Sequence, residues 1–145
     1  MLNFSLRHKP PVILQTEAAE CGLSCLAMIA SYHGHRIDLA TLRTRYPISL
    51  RGSTLADMMK IAGQLKLTPR PLRLDLVHLP ELKLPCVLHW DFSHFVVLTR
   101  VQGDRVTLHD PAAGERELAL AEFSKHFTGV ALELMPASEF TPRDD

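Results

Sequence analysis

The chain has 145 residues, 46% of them hydrophobic and 22% charged, which is typical of one folded domain. Sixteen Lys and Arg balance sixteen Asp and Glu, so the basic excess of a nucleic-acid-binding surface is absent. Three cysteines are too few for a disulfide framework and indicate a reducing compartment. The first residues lack the apolar core of a secretory signal, and no apolar run has the length of a membrane span. The chain as given is therefore expected to be soluble.

The first half of the chain predicts three helices. A run of small and apolar residues over Cys21–Ser31 indicates a buried helix, which we expect to end near Gly34. Asp38 is a candidate N-cap for a short second helix. Thr54 and Asp57 form a capping-box pair ahead of a third helix with apolar residues at helical spacing.

Past Thr68 the pattern changes from helices to strands. Prolines interrupt any helix, and strands are predicted at 70–74, 85–90, 94–101, 105–109, 115–118 and 129–135. Turn signals at Gln102–Asp104 and Asp110–Gly114 join neighbouring segments, which favours an antiparallel sheet. One more short helix is predicted between Ala121 and Phe127. The fold class is therefore α+β.

The predicted domain spans residues 1–136, with a helical half at 1–68 and a sheet half at 69–136. Residues 137–145 lose the periodicity and end in charged side chains. This composition is typical of a linker or a frayed tail.

Cys21 is the candidate nucleophile. It lies at the predicted start of the buried helix, where unpaired N–H groups and the helix dipole stabilise a thiolate, and Gly22 leaves space for a substrate backbone. The side-chain amide of Gln15 can join the Cys21 N–H in an oxyanion hole for acyl transfer. Taken singly, Cys21 is more simply interpreted as a small core residue and Gln15 as a polar loop residue. Cys25 and Cys86 are interpreted as core residues.

Eight histidines compete for the role of base. Five lie in predicted loops or at helix ends and are interpreted as solvated: His8, His33, His35, His78 and His126. Three fall in the predicted sheet: His89, His94 and His109. Of these, His94 begins a strongly apolar strand, which is a rigid mount for a catalytic ring. A hairpin from His94 to Asp110 brings both side chains to one edge of the sheet, although Asp-Pro is also a common turn start.

A metal site is the alternative use of Cys21 and Cys25, which lie on one face of a helix with His33 and His35 nearby. The chain has no C-x-x-C pair, and a metal would bring polarity into its most apolar helix. The same missing motif disfavours a redox dithiol. We therefore predict no metal ligands.

Five segments carry motifs in a linked order: QTEAAECGLSCLAMI at 15–29, YHG at 32–34, LHWDFSHFVVL at 88–98, DPAAG at 110–114 and FTGVALEL at 127–134. Together they resemble the bacteriocin-processing, double-glycine cysteine peptidases. The resemblance runs from about Pro11 to Phe140. Within the family it is strongest to the N-terminal peptidase domain of colicin V-type exporters.

The resemblance implies a papain-like fold, in which a helical subdomain with the nucleophile packs on an antiparallel sheet with the base. By position, it implies that Cys21 is the nucleophile and that His94 is the general base and then the acid. Asp110 orients His94, and Gln15 is the oxyanion-hole donor beside the Cys21 N–H. No cofactor is implied for the peptidase domain.

The implied substrate is the leader peptide of a bacteriocin, microcin or similar precursor, cut after a Gly-Gly pair. An amphipathic leader helix can lay its apolar face in a surface groove. The candidates for that groove are exposed residues of the Leu55–Leu67 helix and the Tyr46–Leu50 loop.

The resemblance also implies membrane-spanning and ATP-binding domains beyond this chain, in a homodimeric exporter whose peptidase domains lie on the cytoplasmic face of the bacterial inner membrane. ATP and Mg²⁺ are implied for the ATP-binding domain alone, and a periplasmic adaptor and an outer-membrane channel are implied partners. Some family members have lost the cysteine and only dock their substrate. A non-catalytic leader-docking domain is therefore the alternative function.

Overall fold

The computed structural model describes residues 8–47 and 52–144. Its α-helices are Cys21–Tyr32 (α1), Leu39–Arg45 (α2), Leu55–Gln64 (α3) and Leu120–Phe123 (α4). Its strands are Leu67–Arg73 (β1), Cys86–Trp90 (β2), His94–Gln102 (β3), Arg105–Asp110 (β4), Gly114–Ala119 (β5) and Phe127–Pro136 (β6). Two short 3₁₀ segments, which the sequence did not predict, run over Ala18–Glu20 and Leu76–Glu81.

The strands form one sheet in the order β1-β6-β2-β3-β4-β5, and each neighbouring pair is antiparallel. The β3–β4 hairpin closes with Gln102 opposite Arg105, and the β4–β5 hairpin closes with Asp110 opposite Gly114. Both turns lie where the sequence predicts them. The α+β class and the antiparallel sheet are therefore confirmed.

The sheet is covered on both faces. One set of strand side chains packs with α1, α2 and α3: Val87, Phe95, Val97, Leu132 and Leu134. The alternate set packs on the other face with Leu79 and Phe123: Cys86, Leu88, Trp90, Val96 and Leu98. Because β3 is buried on both faces, its sequence is a continuous apolar run rather than an alternating one. Every residue of α1 from Cys21 to Ala30 is also buried, as the all-apolar pattern predicts.

The predicted helix ends are present. The Asp38 carboxylate accepts a hydrogen bond from the Thr41 N–H at 2.8 Å, and Thr54 and Asp57 exchange two side-chain-to-backbone bonds of 3.0 Å each. After α1, Gly34 has a φ of +112°, which an L side chain rarely adopts. Local capping chemistry thus sets the ends of these helices.

Some boundaries differ from the prediction. Strand β1 begins at Leu67, not at Arg70, and includes Pro69 and Pro71. This is possible because β1 is an edge strand, where a missing N–H removes no ladder hydrogen bond if it points outward. The helix predicted over Ala121–Phe127 is one turn long, because Phe127 instead begins β6 and pairs with β2.

The residues after Pro136 pack against the helical half. The Ala137 N–H donates to the Lys66 carbonyl at 2.9 Å, and the Arg143 N–H donates to the Gly34 carbonyl at 3.0 Å. Phe140 contacts the core beneath the helices. This returning segment buries His35, which is 5% exposed, so its interpretation as a solvated histidine is wrong. The assignment of this segment as a linker toward a further domain stays a prediction.

In the described part of the chain, no helix combines the length and the apolar character needed to cross a membrane. Residues 1–7, where no export signal is predicted, lie outside that part.

Candidate active site

The helical half contributes Cys21, the first residue of α1. The 3₁₀ segment that precedes α1 ends at Glu20. Cys21 itself is 5% exposed. A Cβ added to Gly22 would lie 3.1 Å from the Met58 Sδ and 3.3 Å from the Ser53 Cβ. The space beside Gly22 is therefore filled by the α3 region. The expectation that this glycine leaves room for a substrate backbone is wrong.

The sheet contributes His94 and Asp110. His94 begins β3 and Asp110 ends the neighbouring antiparallel β4, so the two residues meet at one end of the hairpin. His94 Nε2 lies 2.7 Å from Asp110 Oδ1. The same oxygen accepts the Ala112 N–H at 2.9 Å, and Arg116 Nη1 lies 3.6 Å from Asp110 Oδ2. The carboxylate is thus held on both oxygens.

The Cys21 side chain is the second group that interacts with the His94 ring. Because Nε2 is used by Asp110, Nδ1 is the nitrogen left for the sulfur. Burial alone would lower the pKa of His94, but the hydrogen bond with Asp110, the interaction with Cys21 and the charges of both groups raise it to about 9. The imidazolium form is therefore favoured at neutral pH.

Asp110 is 5% exposed, and burial alone would raise its pKa. The hydrogen bonds from His94 and the Ala112 N–H, together with the positive charges of His94 and Arg116, instead hold the pKa of this carboxyl below its ordinary value. Asp110 is consequently an anion under the conditions in which His94 is a cation.

Gln15 is tied to the turn that follows Asp110. Its backbone N–H donates to the Pro111 carbonyl at 2.9 Å. Its carboxamide Oε1 is buried and has no hydrogen-bond partner among the described residues. The structure thus brings Cys21 and Asp110 to the same imidazole, with a hydrogen bond between His94 and Asp110, and fixes the Gln15 backbone on the turn after Asp110.

Cys25 and Cys86 are fully buried, which confirms their interpretation as core residues. Burial raises the pKa of both thiols. Among residues 8–47 and 52–144, no three His, Cys, Asp or Glu side chains are arranged to hold a metal ion.

Two residues near Cys21 were missed by the sequence analysis. Glu20 is 4% exposed, although it is charged, and it pairs with Arg43 of α2. The available signal was a carboxylate directly before an apolar helix, because a charge is seldom buried without a partner.

A groove of about 470 Å³ is lined by Ser93 and Phe95, the chain neighbours of His94, but not by His94 itself. We call it the His94 groove, and its lining residues come from the α3 start, β2, β3 and β6: Ser53, Thr54, Leu55, His89, Phe92, Ser93, Phe95 and Val130. Of the segments predicted to hold a leader, Leu55 belongs to it. Tyr46 instead lines a separate groove between α2 and α3, and residues 48–50 of the predicted loop lie outside the described residues.

Comparison with known proteins gives one consistent family. A model of the peptidase C39 family matches residues 9–139. The chain is 54% identical over 139 residues to the probable microcin-H47 secretion/processing ATP-binding protein MchF of Escherichia coli, which covers 96% of this chain. It is also 54% identical over 140 residues to the colicin V secretion/processing ATP-binding protein CvaB of Escherichia coli, which covers 97% of this chain. Each match spans 20% of the relative, so the chain spans about a fifth of their length.

A solved structure of a double glycine motif protease from an AMS/PCAT transporter, in complex with the leader peptide, is also similar. It has a TM-score of 0.84 and 36% identity, and the match covers 90% of this chain and 94% of the other. These matches confirm the resemblance seen in the motifs and the papain-like fold that it implies.

Proposed function

Because this chain belongs to the peptidase C39 family, we propose that it is the cysteine endopeptidase domain of an exporter and removes the leader of a bacteriocin- or microcin-type precursor after a Gly-Gly pair. The observation that carries the proposal is the series Cys21, His94 and Asp110, in which Asp110 is hydrogen-bonded to the His94 ring and Cys21 interacts with the same ring. The same series orients the imidazole of other cysteine and serine peptidases.

In the acylation step, the Cys21 thiolate attacks the carbonyl carbon of the second glycine. The negative charge moves to the carbonyl oxygen, where the Cys21 N–H and the Gln15 carboxamide donate hydrogen bonds. The intermediate then collapses and the C–N bond breaks. His94 gives its proton to the departing amine, and a thioester with the leader remains.

In the deacylation step, a water molecule attacks the thioester carbonyl while the neutral His94 accepts a proton from it. The C–S bond breaks, and the leader leaves with a free carboxylate. Asp110 keeps the same ring orientation in both steps and stabilises the imidazolium. Its own anionic form is supported by Arg116 and the Ala112 N–H.

We propose that the leader residues before the Gly-Gly pair lie in the His94 groove. Ser93 and Phe95 of this groove flank His94 in the chain, so the groove lies next to the start of the strand that carries His94. Leu55, Phe95 and Val130 supply the apolar surface for an amphipathic leader helix. The complex of a similar double glycine motif protease with its leader peptide supports a peptide ligand of this kind.

We further propose that the domain works on the cytoplasmic side of the bacterial inner membrane, joined to the membrane-spanning and ATP-binding parts of the exporter. The support is the similarity to MchF and CvaB, both named as secretion/processing ATP-binding proteins, over about a fifth of their length. ATP and Mg²⁺ belong to those other parts.

The test is to mix the domain with a double-glycine precursor and to measure the product masses. We expect one cut directly after the second glycine, and no cut by the Cys21→Ala or His94→Ala variants. Cys86→Ala is the matched control, because Cys86 is a buried thiol outside the site. Binding of the precursor without product by the unmodified domain would instead identify the leader-docking alternative.

A further inference from the structure

A buried carboxylate lies directly before Cys21. Glu20 is 4% exposed, and its Oε1 accepts the backbone N–H groups of Thr16 at 3.0 Å and Glu17 at 3.2 Å. A carboxylate removed from water is costly unless its oxygens are paired. Glu20 therefore holds the backbone that surrounds it.

The bonds of Glu20 close one short segment on itself. We call residues 15–21 the oxyanion loop, because Gln15 and Cys21 are the two proposed oxyanion donors at its ends. The Glu20 side chain folds back to the start of this loop, while the Gln15 N–H is anchored outside it on the Pro111 carbonyl at 2.9 Å. The distance between the two donors thus depends on the Glu20 carboxylate.

Arg43 connects the oxyanion loop to α2. Its Nε donates to Glu20 Oε2, its Nη2 donates to Glu20 Oε1 at 3.2 Å, and the same Nη2 lies 3.4 Å from Thr16 Oγ1. This two-pronged contact fixes the plane of the carboxylate as well as its charge. The hydrogen bond from Arg43, followed by those from the loop backbone, lowers the pKa of Glu20, so the anion persists in this buried position.

We propose that Glu20 and Arg43 are positioning residues for acyl transfer, which hold the Gln15 carboxamide and the Cys21 N–H toward one oxyanion. The inference rests on the proposed peptidase function, and neither residue touches the reacting atoms. Oxyanion stabilisation requires donors that are already in place, and it contributes more to the transition state than to substrate binding. Loss of the Glu20–Arg43 ion pair should therefore lower kcat and leave KM nearly unchanged.

The test separates acyl transfer from the reactivity of the thiol. Glu20→Gln and Arg43→Gln each break the ion pair. Arg43→Lys keeps the positive charge but loses the two-pronged contact with the Glu20 carboxylate. Glu117→Gln and Arg105→Gln are the matched controls, since Glu117 and Arg105 form an exposed ion pair with a 3.3 Å contact between β4 and β5. For each variant we would measure kcat and KM for precursor cleavage, the rate of Cys21 alkylation by iodoacetamide, and the melting temperature.

We expect Glu20→Gln and Arg43→Gln to lower kcat roughly 10- to 100-fold, which is part of the loss on removing an oxyanion donor. KM and the alkylation rate should stay within about threefold, because alkylation develops no oxyanion. Arg43→Lys should recover part of kcat, and both controls should match the unmodified domain. Arg43 is partly exposed at the surface, so its variants test the role of the Glu20–Arg43 ion pair even if Glu20→Gln does not fold.

Two results would overturn the inference. One is full kcat in the folded Arg43→Gln variant, and the other is an alkylation rate that falls in parallel with kcat. Failure of the proposed peptidase function would be seen elsewhere, as the absence of product from the unmodified domain or as undiminished cleavage by Cys21→Ala.

Discussion

The indole of Trp90 stacks on the imidazole of His126, with ring centroids 5.2 Å apart and planes 13° from parallel. His126 Nδ1 lies 2.8 Å from Asp91 Oδ1, and Nε2 lies 3.1 Å from Glu122 Oε2. Both partners only accept hydrogen bonds, so the imidazolium alone satisfies both. His126 is therefore not the simple solvated histidine expected from its place after a helix. Through its contact with Asp91, His126 holds the turn between β2 and β3, which leads into His94.

We predict that His126→Ala lowers the free energy of unfolding by about 1 kcal/mol at pH 6. Asp91 and then Glu122 raise the pKa of His126, so this stabilisation is complete below about pH 6.5 and is lost as the pH rises through the raised value. Urea unfolding at pH 6 and pH 9 measures the difference, with the exposed His78→Ala as control. A loss of stability that is equal at both pH values would contradict the prediction.

The pH dependence of cleavage tests the role of Asp110. We expect kcat/KM to decline as the pH rises through the His94 pKa of about 9, because the leaving amine needs the proton of the imidazolium. Asp110→Asn removes an interaction that raises this pKa, so the alkaline decline should move to lower pH. It should also lower kcat roughly 100- to 10,000-fold, the range that general acid–base catalysis contributes. Rates between pH 6 and pH 10 provide the measurement, and an unshifted alkaline limb in the variant would refute the assigned role.

Alkylation should distinguish the three cysteines. Cys21 interacts with the His94 ring, whose pKa is raised, whereas Cys25 and Cys86 are fully buried and have pKa values raised by burial. We predict that iodoacetamide at pH 7 modifies Cys21 first and that His94→Ala slows this reaction. Peptide mass mapping over time identifies the modified residue. Equal labelling of all three in the native protein would contradict the proposed thiolate.

A pair of glycines tests the packing of the chain end. Gly34 has a φ of +112°, and an added Cβ would lie 3.0 Å from the Pro142 Cβ. We predict that Gly34→Ala lowers the free energy of unfolding by about 1 to 2 kcal/mol. Gly63→Ala, in the exposed end of α3 with nothing within 4 Å of the new Cβ, should raise it by up to about 1 kcal/mol. Urea unfolding of both variants checks the opposite signs.

The residues of the His94–Asp110 contact could be predicted because the path between them is local. An apolar strand, a two-residue turn and a second strand bring them together, and each part has a clear sequence pattern. Cys21 could be predicted for the same reason, because the apolar run of α1 begins at this residue. The starts of α2 and α3 follow from capping residues that act over three positions.

The remaining contacts depend on how distant segments pack. Glu20 meets Arg43 only because α2 folds back against the start of α1, and no periodicity encodes that pairing. His35 is buried by a segment from the far end of the chain. The lack of a Cβ at Gly22 is explained by the closeness of the Met58 side chain, not by the approach of a substrate backbone. In each case the deciding partner lies in another element.

Pro69 and Pro71 have a consequence beyond the strand that contains them. They lie on β1, one of the two outer strands of the sheet, and neither has a backbone N–H that could pair with a further strand. The opposite outer strand, β5, presents the exposed charges of Glu115 and Glu117. A strand of a neighbouring molecule would therefore find two positions without a backbone donor on β1, and it would have to remove charged side chains from water to pair with β5. The domain is thereby protected against strand-by-strand polymerisation at high concentration.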